Sequence, residues 1–152
     1  MIHYRVRISA CRTTKYHFQF KLCACCISYN FLIAGLRIIN RGFEKCLTLY
    51  PQQSWDPIFS EISKLNDFDP KVREFRRYFL NGATQVELDS AGRLLLPKNL
   101  SEHAGLEKDI VLVSAVNKIE IWDKSKYTQF FETFTPQSFS DLANEVMNKV
   151  VG

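Results

Sequence analysis

Gly82-Ala-Thr-Gln-Val-Glu-Leu-Asp-Ser-Ala-Gly-Arg-Leu-Leu-Leu-Pro97 is the stretch whose reading decides the fold. Val86 and Leu88 alternate with Gln85 and Glu87, the two-residue period of a half-buried strand. Leu94, Leu95 and Leu96 form an unbroken apolar run, expected to be a return strand covered on both faces. Ser90-Ala91-Gly92-Arg93 connects the two, and Gly92 supplies the backbone freedom a tight reversal needs. Asp89 and Arg93 bracket this turn, so in a hairpin they face each other across its mouth. An Asp–Arg pair there fixes the turn while a guanidinium edge stays available, which suits the reading of phosphates or guanine edges. The same two residues also describe a rim salt bridge contributing roughly 0–1 kcal/mol and nothing else.

Working upstream, Asp69-Pro70 opens a helix as N-cap and first helical residue, with Val72, Phe75 and Phe79 as its apolar stripe. Arg73, Arg76 and Arg77 lie off that stripe. They read either as a phosphate grip or, because Glu74 shares the stretch, as a solvated or inter-subunit face. Before them, Ile38-Ile39 and Cys46-Leu-Thr-Leu-Tyr50 are strand-like about the turn material Asn40-Arg41-Gly42. Pro51 opens a helix with a stripe of Trp55, Ile58, Phe59, Ile62 and Leu65, and Pro57 puts its start in question.

Downstream, Pro97 to His103 makes a short helix stopped by Gly105. Ile110–Val113 and Ile119–Trp122 are strands about an Asn117-Lys118 turn. Asp123 caps a helix with the stripe Tyr127, Phe130, Phe131 and Phe134, and Pro136 separates it from a last helix over about 138–150. A repeat runs through these elements: Leu47-Thr-Leu-Tyr-Pro-Gln-Gln-Ser-Trp55 parallels Ile119-Glu-Ile-Trp-Asp-Lys-Ser-Lys-Tyr127 at a constant offset of 72. Two copies of one small unit favour a pseudo-symmetric pair of half-domains over a cleft enzyme. No phosphate-binding glycine loop, Gly-x-Ser-x-Gly or His-Glu-x-x-His is present, so a non-enzyme without cofactor or metal is expected.

The chain has 152 residues, 46% of them hydrophobic, with a net charge of +4. That charge is unevenly placed. Residues 1–43 contain no Asp or Glu but seven basic residues, Arg5, Arg7, Arg12, Lys15, Lys21, Arg37 and Arg41; the remainder carries 13 basic and 16 acidic residues. Cys11, Cys23, Cys25 and Cys26 also lie in this segment, yet their spacing matches no zinc knuckle. The apolar run 22–36 is about 15 residues and is interrupted by Asn30, short of the ~20 that a spanning helix requires. A membrane protein is therefore not expected.

The hairpin Val86-Glu-Leu-Asp-Ser-Ala-Gly-Arg-Leu-Leu-Leu-Pro97 resembles the Asp-x-x-x-Arg hairpin of the MraZ family, within the AbrB-like swapped-hairpin fold. Arg41-Gly-Phe-Glu-Lys-Cys-Leu-Thr-Leu-Tyr-Pro51, Arg77-Tyr-Phe79 and Val116-Asn-Lys-Ile-Glu-Ile-Trp-Asp123 resemble that family in the same order, so the likeness covers roughly 38–150. It implies an α+β fold of tandem AbrB-like swapped-hairpin β-barrel half-domains with flanking helices, the first copy incomplete. The implied divisions are an atypical segment 1–37 in place of the first hairpin, the rest of the first repeat at 38–66, a connecting helix at 67–80, a second repeat at 81–124 and C-terminal helices at 125–152.

The resemblance further implies a cytoplasmic, nucleoid-associated transcription regulator that binds double-stranded DNA as a ring-forming homo-oligomer. Its sites would be direct repeats upstream of the division and cell-wall gene cluster. Arg93 would be the DNA-contacting residue, Asp89 and Gly92 would structure the hairpin, and Lys98 would contact phosphate. The competing class is a protein-interaction or self-assembly module with DNA binding impaired by loss of the first hairpin. The abrupt loss of acidic residues before residue 44 fits a shifted reading frame or misplaced start; an intact frame in the encoding DNA, with peptides across 1–37, would sink that hypothesis. Residues 1–37 are accordingly expected to add no element to the fold.

Overall fold

Aliphatic residues at alternating positions build one antiparallel sheet with two different faces. The computed structural model describes residues 5–7, 36–90 and 93–151. Strands β2 (Arg37–Arg41) and β3 (Leu47–Pro51) form a hairpin, as do β6 (Ile110–Ala115) and β7 (Lys118–Asp123). β4 (Thr84–Val86) pairs with β2, and β3 pairs with β7, giving the order β4-β2-β3-β7-β6. β5 (Arg93–Leu95) pairs instead with β1 (Arg5–Arg7). An isolated bridge between Leu88 and Leu94 ties β5 to the chain leaving β4.

One sheet face supplies Ile39, Leu47, Leu49, Leu112, Ile119 and Ile121 to the larger core, which Leu94, Leu96, Leu100, Ala104 and Leu106 complete. The other face carries Ile38 and Tyr50, which pack with Trp55, Ile58, Phe79 and Leu80 from helices α1 (Gln52–Lys64) and α2 (Pro70–Leu80). Trp55 stacks on Phe79 with ring centroids 5.9 Å apart, and Tyr50 tilts against Trp55 at 5.4 Å. Each fully buried aliphatic side chain contributes about 1.5–3 kcal/mol relative to exposure. The remaining helices are α3 (Lys98–Ala104), α4 (Lys124–Glu132) and α5 (Pro136–Val151).

The middle of the sheet has a symmetric register. Thr48 faces Glu120, Leu47 faces Ile121 and Leu49 faces Ile119. Thr48 and Glu120 are also 72 positions apart, as are Gln52 and Lys124, which open α1 and α4. Tyr50–Trp55 has a counterpart in Trp122–Tyr127, whose rings meet edge-on at 6.0 Å.

Several expectations are corrected. Leu95 is 57% exposed between the buried Leu94 and Leu96, so β5 is covered on one face only; an apolar run cannot reveal which of its members meets solvent. The second hairpin turns at Val116-Asn117, with Lys118 already in β7. Helix α1 runs through Pro57, whose missing N–H removes one intrahelical bond without ending the helix. α5 begins at Pro136, earlier than the periodicity placed it. Within the segment expected to add no element, Arg5–Arg7 forms β1 and Arg37 opens β2, because each finds an open strand edge to pair with. Gly92, expected to structure the hairpin turn, lies outside the described residues, as do Cys11, Cys23, Cys25 and Cys26.

Candidate nucleic-acid interface

Asp89 and Arg93 meet as their spacing suggests. The Asp89 backbone N–H donates to the Arg93 carbonyl at 2.9 Å, closing the base of the turn. In return, the Arg93 backbone N–H donates to Asp89 Oδ1 at 2.9 Å and its Nε to Oδ2 at 2.7 Å. One carboxylate thus holds both the main chain and the inner nitrogen of the guanidinium. The outer Nη groups of Arg93 make no hydrogen bond among the described residues, and its side chain is 40% exposed. A planar fork held at one edge and open at the other is suited to a bidentate acceptor pair such as guanine O6/N7 or two phosphate oxygens.

The hairpin stands on the larger core. Leu94 and Leu96 bury beneath it, with Leu100 from the following helix. Lys98 opens α3 and is almost fully exposed, 3.5 Å from Glu102. At the far end of that helix Gly105 takes the left-handed conformation at φ 55. Lys126 Nζ donates to the Ala104 and Gly105 carbonyls at 2.6 and 2.7 Å. Asp123 caps α4 by accepting from the Ser125 and Lys126 N–H groups, and its second oxygen accepts from Glu107 at 3.1 Å. These two side chains, which carry no signal of their role beyond a cap in the sequence, lock the loop after α3 onto α4.

Two of the three clustered arginines are committed to structure. Arg76 Nη2 donates to the Ile62 and Leu65 carbonyls at 3.1 and 2.9 Å, and its Nη1 pairs with Asp67. Arg73 Nη1 donates to the Asp67 carbonyl at 2.6 Å. Arg76 thus caps the C-terminal end of α1, where cations and N–H donors are favourable, and Arg73 holds the loop that follows it. Arg77 remains exposed. His103 is held towards its neutral form by burial first, then by the nearby Arg41 and Lys45.

Away from the hairpin, Phe130 and Phe131 on α4 and Phe134 just after it form an exposed aromatic cluster, and Phe139, Leu142, Val146 and Met147 are exposed along α5. Among the described residues no group of three or more His, Cys, Asp or Glu is placed to hold a metal ion, and no helix is long and apolar enough to cross a membrane.

Comparison with known proteins converges on one family. The family described as "MraZ protein, putative antitoxin-like" matches residues 79–149. A transcriptional regulator MraZ from Christiangramia forsetii is 49% identical over 113 residues, 74% of this chain and 72% of the relative. The Cytophaga hutchinsonii regulator of that name is 48% identical over 75% of each chain. That of Flavobacterium psychrophilum is 48% identical over 76% of this chain and 73% of its own. With such identity over nearly three quarters of relatives that share one name, this chain belongs to the MraZ family.

Proposed function

We propose that this chain is a sequence-specific DNA-binding transcription regulator, not an enzyme, and that it reads DNA through the Asp89–Arg93 hairpin. The observation that carries the reading is the half-held guanidinium: Asp89 fixes Arg93 through the main chain and Nε, leaving an exposed fork. Lys98, exposed at the start of α3, adds a phosphate contact beside it. The relatives are named as transcriptional regulators. By this reading the chain works in the cytoplasm on the nucleoid, at direct repeats upstream of the division and cell-wall genes.

The fold is read as two AbrB-like swapped-hairpin repeats with the first copy incomplete. The register centred on Thr48 and Glu120, and the helices opening 72 positions apart, support it. One hairpin offers a small footprint, so useful affinity needs several copies bound together. The exposed aromatic surfaces of α4 and α5 support a homo-oligomer, in ring form, because large exposed apolar patches usually mark interfaces. Those surfaces also favour the second reading, a self-assembly module whose DNA binding is impaired.

Titration of the chain with a duplex from upstream of its own gene, and with a scrambled duplex, separates the two. A regulator prefers the first duplex and loses affinity steeply with salt, as phosphate contacts require. A self-assembly module forms salt-tolerant oligomers and binds both duplexes equally or not at all.

A further inference from the structure

We propose that the outer edge of β6 is an interaction surface for a second copy of this chain, the two β6 strands pairing antiparallel about a two-fold axis. The inference rests on the homo-oligomer reading and names its contact. The sheet order β4-β2-β3-β7-β6 leaves two edges, and they differ. β4 is only three residues, Thr84-Gln-Val86. β6 is six, Ile110-Val-Leu-Val-Ser-Ala115, with neither a charge nor a proline. Natural edge strands are blunted by shortness, charge, proline or a bulge, and a long uncharged edge is a template for another strand. β2, which the repeat sets 72 positions before β6, is covered on its outer side by β4, with Ile38 facing Gln85. Among the described residues β6 has no such neighbour.

The hydrogen-bond pattern shows which groups the edge offers. Ala115 faces Lys118 across the β6–β7 turn, and beyond the other end of β6 the Lys124 N–H donates to the Asp109 carbonyl at 2.9 Å. Residues of an antiparallel strand alternately bond one neighbour and turn both backbone groups the other way. Asp109, Val111, Val113 and Ala115 therefore bond β7, and Ile110, Leu112 and Ser114 direct N–H and C=O outward. No hydrogen bond to those outward groups is made among the described residues.

The edge is complementary to itself. Centring the pair on Leu112 sets Leu112 against its own copy and Ile110 against Ser114 of the second copy, so every outward group finds a partner. Val111 then faces Val113 of the second copy, a β-branched cross-strand pair. No like charges meet, since Asp109 falls opposite Ala115 and Lys108 opposite Val116. A second surface lies beside the seam. Val111 shares a side of the sheet with Trp122, which it faces, and Trp122 meets Phe130 with ring centroids 5.5 Å apart. The axis keeps the same face of both sheets on one side, so the exposed Phe130–Phe131–Phe134 clusters of the two copies flank the joined strands together. Such a contact closes at two copies, so a ring needs a further interface besides it.

The test is sedimentation velocity of the full chain, Ser114→Pro and Ser114→Ala from about 1 to 100 µM, paired with amide hydrogen exchange of the parent chain at both ends of that range. Proline at 114 deletes an outward N–H and leaves the β6–β7 ladder, the one strand setting in which proline is tolerated. Melting and far-ultraviolet circular dichroism check that each variant is folded. Ser114→Pro is expected to associate about thirtyfold more weakly, each copy losing one hydrogen bond, and Ser114→Ala as the parent does. The Ile110, Leu112 and Ser114 amides are expected to exchange slowly at high concentration and fast at low; this measurement decides if Ser114→Pro does not fold. A folded Ser114→Pro that associates like the parent, or amides equally fast at both concentrations, overturns the β6 seam while leaving self-association standing. Protection independent of concentration assigns the edge to a segment of the same chain and overturns it too. A parent chain that stays monomeric throughout removes the homo-oligomer reading and the seam with it.

Discussion

Replacing Asp89 by Asn tests whether the arginine works because it is held. One oxygen of the carboxylate accepts from the Arg93 N–H at 2.9 Å and the other from Nε at 2.7 Å. Asparagine keeps one acceptor but turns an amide N–H towards one of these donors, so either the turn or the guanidinium is released. Both side chains are about two-fifths exposed, so the ion pair itself contributes no more than about 1 kcal/mol to stability. For a chain of this size that shifts melting by about 2–4 °C. Binding should suffer differently. An arginine no longer pinned must be ordered on the DNA, at about 0.5–1.5 kcal/mol per side chain, or about two- to twelvefold in affinity per engaged chain. Removing a negative charge simultaneously raises attraction to any duplex. Fluorescence anisotropy with the two duplexes should therefore show weaker binding to the upstream site, equal or tighter binding to the scrambled one, and a smaller ratio between them. An unchanged ratio, or parallel weakening on both duplexes, would refute the idea that Asp89 acts by holding Arg93.

Asp123→Ala should cost about 2–4 kcal/mol in urea unfolding, since the α4 cap is lost and the Glu107 N–H is orphaned. Burial raises the Asp123 carboxyl, but the Ser125 hydroxyl and the Glu107, Lys126 and Ser125 N–H groups outweigh it, leaving the pKa below its ordinary value. Its stabilisation is therefore full above the unfolded carboxyl pKa of about 3.9 and is lost as pH falls through the lower folded value, so wild type and Asp123→Asn should converge in acid unfolding curves. Burial, then Glu120 and Glu44, push the Cys46 thiol up to about 12, so iodoacetamide in mildly alkaline buffer should label it only after denaturation, as read by peptide mass mapping. Val116 sits fully exposed at φ 58, a strained conformation for a β-branched residue. Val116→Gly should raise stability by about 1 kcal/mol, measured by thermal melting.

Much of this was legible because local chemistry and tertiary structure agree. Asp69-Pro70 and Asp123 are helix starts whose carboxylates accept the N–H groups they should, and Gly105 is the left-handed stop after α3. The hairpin pair was legible for the same reason, as a four-residue spacing fixes which side chains can meet. Long-range partners were not. That Arg76 bonds the end of α1 and Arg73 the loop after it depends on how α2 folds back, which no stripe encodes. The apolar run Leu94–Leu96 gave no hint that Leu95 is exposed, and pairing of β1 with β5 joins residues nearly ninety positions apart. The identities of the end residues are local; the pairing is not.

The most direct test is Arg93→Ala and Arg93→Lys, each titrated with the upstream and scrambled duplexes at fixed salt. Arg93→Ala should bring the two affinities together, costing about 1–3 kcal/mol on the upstream duplex alone, while its melting temperature stays within a few degrees of wild type. Arg93→Lys should recover little, since an ammonium cannot reproduce the planar fork. Arg93→Ala that binds and prefers the upstream duplex as the wild type does, while melting earlier, would make Arg93 a structural rim residue and contradict the account.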